Sequence, residues 1–397
     1  MAKFDFDSLV ERRGTDCYKW DLLQSDVLPM WVADMDFKAP EPISKALHKA
    51  VDHGVFGYGM DRKQLLKNVV SRMKQLYGWE VEEDWIVVTT GLVSGFFAAA
   101  NTLCEKGDGY LIQPPVYMPF NSMQESLGYK RQENPLKLVI EGNRVSYEYD
   151  HENFTQALNS EGARTKMFLL CNPHNPIGKC FSKDELAAMA GKCLENGTVI
   201  VSDEIHSELL LGGSKHVPIA TISKEIQDQT ITLISPSKTF NIAGLFCGFA
   251  IISNPELRTK FKKTVGDMTL HVTSLSMVAA EAAFSGECDE WLGSLCAYLT
   301  SNRDHMIATL DQKFPELTTT IPQATYLGWL GFYHYLQNGK VSGEPAEYLL
   351  KRGKVFLNTG SAFGTGGQPF ARINFGCPRS LLDDGLARLE MALSKAE

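Results

Sequence analysis

The sequence predicts an α/β protein whose larger part is a mostly parallel sheet with helices on both faces. Short apolar or β-branched runs are mostly separated by helix-like segments such as residues 183–195, and this alternation is typical of parallel strands joined by helices. After a long helical pattern over residues 271–314, the chain mixes short strands and helices, which predicts a smaller α+β domain. The strand candidates are residues 85–90, 110–112, 166–170, 199–202, 230–234, 248–252, 328–333, 355–357 and 371–375.

We expect three regions along the chain. Residues 1–45 contain turn formers and prolines around a short apolar stretch, which indicates an N-terminal arm associated with the small domain. Residues 46–284 form the predicted large domain, and residues 285–397 form the C-terminal small domain. Glycines at residues 54–59 interrupt the helical pattern between Pro42 and Tyr77, so Tyr58 is expected on a loop.

Composition and charge limit the partners. The 397 residues carry a net charge of −8, which argues against nucleic acid and anionic membranes because both require a basic surface. No apolar run reaches the ~18 residues of a membrane span, and the N-terminus lacks a signal-peptide pattern. The nine cysteines include no C-x-x-C pair, so we expect free thiols and no metal site. These features predict a cytoplasmic protein that binds small molecules or other proteins.

Polar residues follow the strand candidates at the edge where ligands bind. Gly91, Asn172, Asp203 and Ser235 each come within a few residues of a strand end, and parallel sheets bind ligands beyond the carboxyl ends of their strands. Lys238 follows one such end between small hydroxyl residues. A lysine that loses solvation there has a lowered pKa and becomes a nucleophile toward a carbonyl, so Lys238 is a Schiff-base candidate.

Five motifs occur in order and together span nearly the whole chain. They are LPMWVADMDF (28–37), CNPHNPIGK (171–179), SDEIHSEL (202–209), SPSKTFNIAGL (235–245) and RINFGCPRS (372–380). The set resembles pyridoxal-phosphate enzymes of the aspartate-aminotransferase fold, and more narrowly the cystathionine β-lyase and cystalysin branch. The resemblance implies an aspartate-aminotransferase-like fold, pyridoxal 5'-phosphate as cofactor and an amino-acid thioether as substrate.

The resemblance also implies roles around the cofactor ring. Lys238 would hold the cofactor and act as the base at Cα, and Asp203 would pair with the pyridine nitrogen rather than only cap a helix. Asn175, between two prolines, would face the phenolate oxygen. His206 stands where aminotransferases of this fold carry tyrosine, and either donates to that oxygen or packs beside it. Tyr117 would stack on the ring, and either Tyr117 or Lys238 would protonate the departing sulfur.

The phosphate would be held by neutral donors. Gly91 and Leu92 open a helix-like run after a strand, so their backbone N–H groups could meet an anion, and Ser235 and Ser237 would add hydroxyl donors. Phe246 occupies the position where aminotransferases of this fold have an arginine, a departure that favours the lyase branch.

Three further residues would complete the site. Tyr58 matches a residue that reaches the phosphate of a neighbouring subunit, which implies a homodimer with shared active sites. Arg372 lies in an apolar run, and its planar fork suits a substrate carboxylate. Ala33 of the arm would line the same end of the site through its backbone.

The expected reaction is β-elimination, which cleaves the Cβ–S bond of cystathionine or a cysteine derivative to a thiol, ammonia and pyruvate. An aminotransferase is the nearest alternative, because both reactions pass through the same carbanion. A regulatory protein that acts through protein contacts is a second alternative, since some members of the lyase branch bind a transcription activator.

Overall fold

The computed structural model describes residues 4–59, 62–160 and 164–394, so the predicted domain limits at residues 1 and 397 lie outside the described residues. The strands in chain order are β1 (Leu28–Pro29), β2 (Ile86–Thr89), β3 (Gly109–Ile112), β4 (Lys130–Glu133), β5 (Lys137–Glu141), β6 (Arg144–Glu148), β7 (Thr165–Cys171), β8 (Val199–Asp203), β9 (Thr230–Ile234), β10 (Gly248–Ile251), β11 (Thr318–Thr319), β12 (Leu327–Gly331), β13 (Val355–Phe356), β14 (Asn358–Thr359) and β15 (Phe370–Asn374).

The α-helices alternate with these strands, and three of them follow one another after β10 with no strand between them. They are α1 (Tyr18–Asp21), α2 (Glu41–His53), α3 (Lys63–Tyr77), α4 (Leu92–Leu103), α5 (Met123–Leu127), α6 (His151–Leu158), α7 (Lys183–Asn196), α8 (Lys224–Asp228), α9 (Pro236–Thr239), α10 (Pro255–Asp267), α11 (Ser274–Ala283), α12 (Asp289–Lys313), α13 (Tyr333–Gln337), α14 (Pro345–Gly353) and α15 (Arg379–Ser394).

The central sheet has seven strands in the order β2-β10-β9-β8-β7-β3-β4. Only β10 runs antiparallel to its neighbours, so the prediction of a mostly parallel sheet is confirmed. Every residue of β9 is buried, as a parallel strand covered on both faces requires. Helix α7 shows how the sequence sets the covering helices: Ser182 and Glu185 form a capping box at its start, and Gly197 ends it in the left-handed conformation.

A second sheet has six strands in the order β14-β15-β12-β11-β6-β5, and four of them come from the C-terminal part of the chain. Its hairpin β5–β6 comes from residues 137–148, within the range predicted for the large domain. The strand predicted at residues 328–333 ends early, because Tyr333 begins helix α13. Strand β1 of the arm pairs with β13, which attaches the arm to this part of the molecule.

A buried ion pair joins α3 to two other segments. Arg72 is 3% exposed, bonds both carboxylate oxygens of Glu208 and lies 2.8 Å from Asp289. The pair between Arg62 and Glu281, at 2.7 Å, is by contrast partly exposed.

In the described ranges no helix is long and apolar enough to cross a membrane. The same ranges contain no group of three or more His, Cys, Asp or Glu side chains that could hold a metal ion.

Candidate active site

A cavity of about 800 Å³ lies at the carboxyl ends of β7, β8 and β9, the place where sheets of this kind bind ligands. The structure brings together here every predicted site residue except Tyr58. These residues are Ala33, Gly91, Leu92, Tyr117, Asn175, Asp203, His206, Ser235, Ser237, Lys238 and Arg372.

Asp203 is the last residue of β8 and a buried carboxylate with an incomplete set of partners. Its Oδ1 accepts a hydrogen bond from the backbone N–H of Ile205 at 3.1 Å, whereas Oδ2 has no hydrogen-bond partner among the described residues. Burial raises the pKa of Asp203 to about 7, and the neighbouring charge of Glu204 adds to the rise. A cation in the cavity would stabilise this carboxylate.

Lys238 lies on the short helix α9, directly after β9. Its Nζ donates to the carbonyl oxygen of Ala33 at 2.6 Å, and the hydroxyl of Tyr326 donates to the same oxygen at 2.7 Å. Burial lowers the pKa of Lys238 to about 8, because desolvation outweighs the favourable charges of Asp34 and Asp203. Lys238 is therefore closer to its neutral, nucleophilic form than an exposed lysine is.

Arg372 is a buried cation in the middle of β15. Its Nη1 donates to Asn175 Oδ1 at 2.9 Å, and its Nη2 donates to the carbonyl oxygen of Trp31 at 2.9 Å and to Asn358 Oδ1, while Nε has no partner. Burial lowers the pKa of Arg372 to about 10, so it remains charged at neutral pH. No described carboxylate pairs with it, which leaves its charge available to an anion.

Three further polar side chains line the cavity with unpaired atoms. The Nδ2 of Asn175 and the hydroxyl of Tyr117 have no hydrogen-bond partner among the described residues, and burial raises the pKa of Tyr117. His206 packs edge-on against Tyr326 with ring centroids 6.1 Å apart, and its Nδ1 is buried without a partner. Burial lowers the pKa of His206 to about 3, so the ring is neutral. Both interpretations of His206 remain open.

The amino terminus of α4 forms another wall of the cavity. Gly91 precedes the helix with φ of 115°, a conformation that favours glycine. The first N–H groups of a helix have no partner within it, and its dipole favours an anion at this end. Phe246, which is 65% exposed, lines the cavity as well.

Ser235 and Ser237 differ in what their hydroxyl groups can do. Ser235 Oγ caps α9 by accepting from the Ser237 N–H at 3.1 Å, and it donates to the carbonyl oxygen of Cys247 at 2.6 Å. Ser237 Oγ lies 2.8 Å from Ser235 Oγ, and because the single Ser235 proton goes to the Cys247 carbonyl, the Ser237 hydroxyl is the donor in this contact. The Ser237 hydroxyl can turn to a ligand by giving up this contact, whereas the proton of Ser235 is engaged by Cys247.

Tyr58 lies outside the cavity. Tyr58 is fully exposed, and Val55 and Phe56 on the same loop are largely exposed. A single chain does not bring Tyr58 to its own site, and its role in a neighbouring site remains a prediction.

Sequence reasoning missed three residues that shape the site: Tyr326, Asn358 and Asn374. The Nδ2 of Asn374 donates to the carbonyl oxygens of Val32 and Asp34, at 2.6 and 2.7 Å, and so holds the arm over the cavity. Asn374 comes two residues after Arg372, on the same face of β15, and this spacing could have indicated it. Tyr326 and Asn358 carried no such signal.

These residues fit pyridoxal phosphate. The unpaired Oδ2 of Asp203 suits a protonated ring nitrogen, the amine of Lys238 suits the aldehyde, and the start of α4 suits the phosphate. Residues 25–389 match the family model described as aminotransferase class I and II, and the chain therefore belongs to this family. Its cofactor is pyridoxal 5'-phosphate, and the predicted aspartate-aminotransferase-like fold is confirmed.

Individual relatives match the chain along its whole length, and one of them is a lyase by name. The chain is 40% identical to the cystathionine β-lyase PatB of Bacillus subtilis over 396 residues, which cover 98% of this chain and 100% of that protein. It is 30% identical to the protein MalY of Escherichia coli, over 98% and 99% of the two chains. The crystal structure of cystalysin from Treponema denticola, which contains pyridoxal 5'-phosphate, has a TM-score of 0.92 and 32% identity, over 99% and 100% of the chains.

Proposed function

We propose that this protein is a pyridoxal-phosphate-dependent carbon–sulfur β-lyase, which converts an amino-acid thioether such as cystathionine or a cysteine derivative to a thiol, ammonia and pyruvate. The observation that carries the proposal is a single cavity that combines an amine of lowered pKa, an incompletely paired carboxylate and an arginine without an anionic partner. Similarity to PatB along the whole chain supports the same reaction.

Four residues hold the cofactor ring in this proposal. Asp203 would keep the ring nitrogen protonated through its free Oδ2, and the pair would relieve the cost of burying the carboxylate. Lys238 would hold the cofactor covalently through Nζ, which here donates to the carbonyl oxygen of Ala33. Tyr117 would contact the ring, and the free Nδ2 of Asn175 would be available to the phenolate oxygen.

The reaction then depends on proton transfers at two substrate atoms. Bound pyridoxal phosphate supplies an electron sink for the charge that develops at the substrate Cα. Once the substrate amine has replaced it on the cofactor, Lys238 would be the base that removes the Cα proton, since a pKa of about 8 leaves part of the free amine neutral at physiological pH. Lys238 or Tyr117 then protonates the departing sulfur, and the raised pKa of Tyr117 keeps its phenol protonated until that step.

Arg372 orients the substrate by binding its α-carboxylate. Its guanidinium already lies between Asn175 and Asn358, so the fork is fixed before the substrate arrives. The backbone of Ala33 lines the same end of the cavity. A fixed carboxylate limits how the Cα–H bond can point, which directs it to Lys238.

Neutral donors bind the phosphate. The backbone N–H groups of Gly91 and Leu92 and the hydroxyl of Ser237 are available for it, whereas Ser235 holds Ser237 in place.

The exposed loop that carries Tyr58 reaches the phosphate of a second copy in this proposal, so the active form is a homodimer with shared sites. The proposed compartment is the cytoplasm. The proposed domain organisation is an arm of residues 1–45, a large domain of residues 46–284 and a small domain of residues 285–397.

Pyruvate release from cystathionine without any keto acid tests the reaction. We expect steady pyruvate formation by wild-type protein and none by Lys238→Ala. An aminotransferase would instead convert alanine and a keto acid faster than it releases pyruvate from cystathionine, and that result would replace the lyase proposal.

A further inference from the structure

We infer that the cavity selects cysteine thioethers whose S-substituent is uncharged and apolar, and disfavours those whose substituent ends in charged groups. The inference rests on the proposed lyase function and specifies its substrate class. Cystathionine is then a poorer substrate than a cysteine thioether of the same length that lacks the distal ammonium and carboxylate.

The charges of the cavity are all used by the reacting end of the substrate and by the cofactor. Among the described residues that line it, the only Asp, Glu, Lys or Arg side chains are those of Asp203, Lys238 and Arg372. His206 is neutral, because burial lowers its pKa to about 3. Asp203 and Lys238 bind the cofactor and Arg372 binds the α-carboxylate, so no charged lining residue remains for the distal end of cystathionine.

Aromatic and apolar side chains surround the mouth of the cavity. Tyr18 lines it and is 67% exposed, although large aromatic side chains are usually covered. Trp31 and Met118 continue this wall inward. The Trp31 ring packs between Tyr18 and Phe356, with centroids 5.3 and 5.1 Å away, which holds the ring in place in the cavity wall.

Charged groups near the arm are already paired. Arg12 lies 2.5 Å from Asp34, and Lys19 lies 2.7 Å from Asp36, and none of these four residues lines the cavity. The loop 54–59, which the proposed dimer would bring to the neighbouring site, has the sequence GVFGYG and no charged side chain.

An apolar wall disfavours the binding of a substituent whose charged groups find no partner there. A charged group that enters the cavity loses hydration without gaining a partner, and this loss opposes binding. An alkyl or aryl substituent instead gains from leaving water against Trp31 and Met118. The proposed selectivity follows from these two effects, which act in the same direction.

The pair S-propyl-L-cysteine and L-cystathionine tests the inference, since cystathionine has the same thioether skeleton with an ammonium and a carboxylate added at the far end. We expect the dimeric holoenzyme to show a kcat/KM at least about tenfold higher for S-propyl-L-cysteine, equivalent to about 1.4 kcal/mol. A smaller ratio, or a preference for cystathionine, would overturn the inference.

Two variants test whether the substrate selectivity arises at the mouth of the cavity. Tyr18→Arg places a cation at the mouth of the cavity and should shift the selectivity ratio toward cystathionine by about fivefold or more. Leu9→Arg adds the same charge at a residue that is 63% exposed and does not line the cavity, and its ratio should match that of wild type. An unchanged ratio in Tyr18→Arg would also overturn the inference.

Calorimetric titration of cofactor-loaded Lys238→Ala, which lacks the base, separates binding from the reaction. If S-propyl-L-cysteine binds about tenfold more tightly but wild type releases no pyruvate from either compound, the selectivity stands and the lyase proposal fails. If pyruvate forms and the two dissociation constants are equal, the lyase proposal stands and the selectivity fails.

Discussion

Asp203→Asn should stabilise the cofactor-free protein while it disables the enzyme. Asparagine keeps the shape of the side chain and an acceptor for the Ile205 N–H, but it cannot ionise. The pKa of about 7 in the folded protein lies above the ordinary 3.8, so the folded state binds the proton more tightly than the unfolded chain does. The carboxylate therefore lowers stability as pH rises from about 4 to about 7, with no further change above that range.

The pKa difference sets the size of the effect. At ~1.36 kcal/mol per pKa unit, Asp203→Asn should raise the free energy of unfolding by about 2 kcal/mol near pH 5 and about 4 kcal/mol near pH 8. Urea unfolding of cofactor-free protein at the two pH values measures this, with the exposed Asp52→Asn as control. The reasoning is refuted if the gain is absent or the same at both pH values. With cofactor bound, the same variant should form pyruvate about a hundredfold more slowly or worse.

Three other changes test separate parts of the structure. Arg372→Lys keeps the charge and loses the two-pronged geometry, so KM for the thioether should rise by about thirtyfold or more while the absorption spectrum of the free holoenzyme stays unchanged. A mixture of Tyr58→Phe and Lys238→Ala subunits should regain roughly a quarter of wild-type activity through hybrid dimers, and no recovery despite proven subunit exchange would exclude shared sites. Arg72→Met leaves the buried carboxylate of Glu208 unpaired and should lower the free energy of unfolding by about 3 kcal/mol or more, whereas Arg62→Met at the partly exposed pair should cost less than about 1 kcal/mol; equal losses would contradict the role of burial.

Local patterns were enough to predict the central sheet but not all strand partners. The runs at residues 199–202 and 230–234 became β8 and β9, because continuous apolar, β-branched segments suit strands buried on both faces. The hairpin β5–β6 and the strand β4 were not predicted. Strand β4 is polar and β5 has no buried residue, so neither shows the pattern of a buried strand, and the other partner of β6 is β11, which is distant in sequence.

The site was predictable where one motif follows one strand. Asp203, Asn175 and Lys238 share the cavity because the carboxyl ends of neighbouring parallel strands meet at one edge. Tyr326 was missed, because its hydroxyl reaches Ala33 across 293 residues of sequence and no local pattern records that contact. The distinction between the Ser235 and Ser237 hydroxyls also depended on a distant atom, the carbonyl oxygen of Cys247.

The contacts between the arm and β15 set an order of events during synthesis. Trp31 leaves the ribosome early, but its partner Arg372 lies 341 residues later, and Asn374 lies 342 residues after Val32. At a translation rate of ~5–20 residues per second, the residues of β15 that bind the arm are synthesised roughly 17 to 70 seconds after the arm itself. A nascent chain that stops before β15 carries the cofactor lysine but neither the clamp on the arm nor the carboxylate anchor. Assembly of the catalytic centre is therefore a late event in translation, and interrupted chains are inactive even when their central sheet has formed.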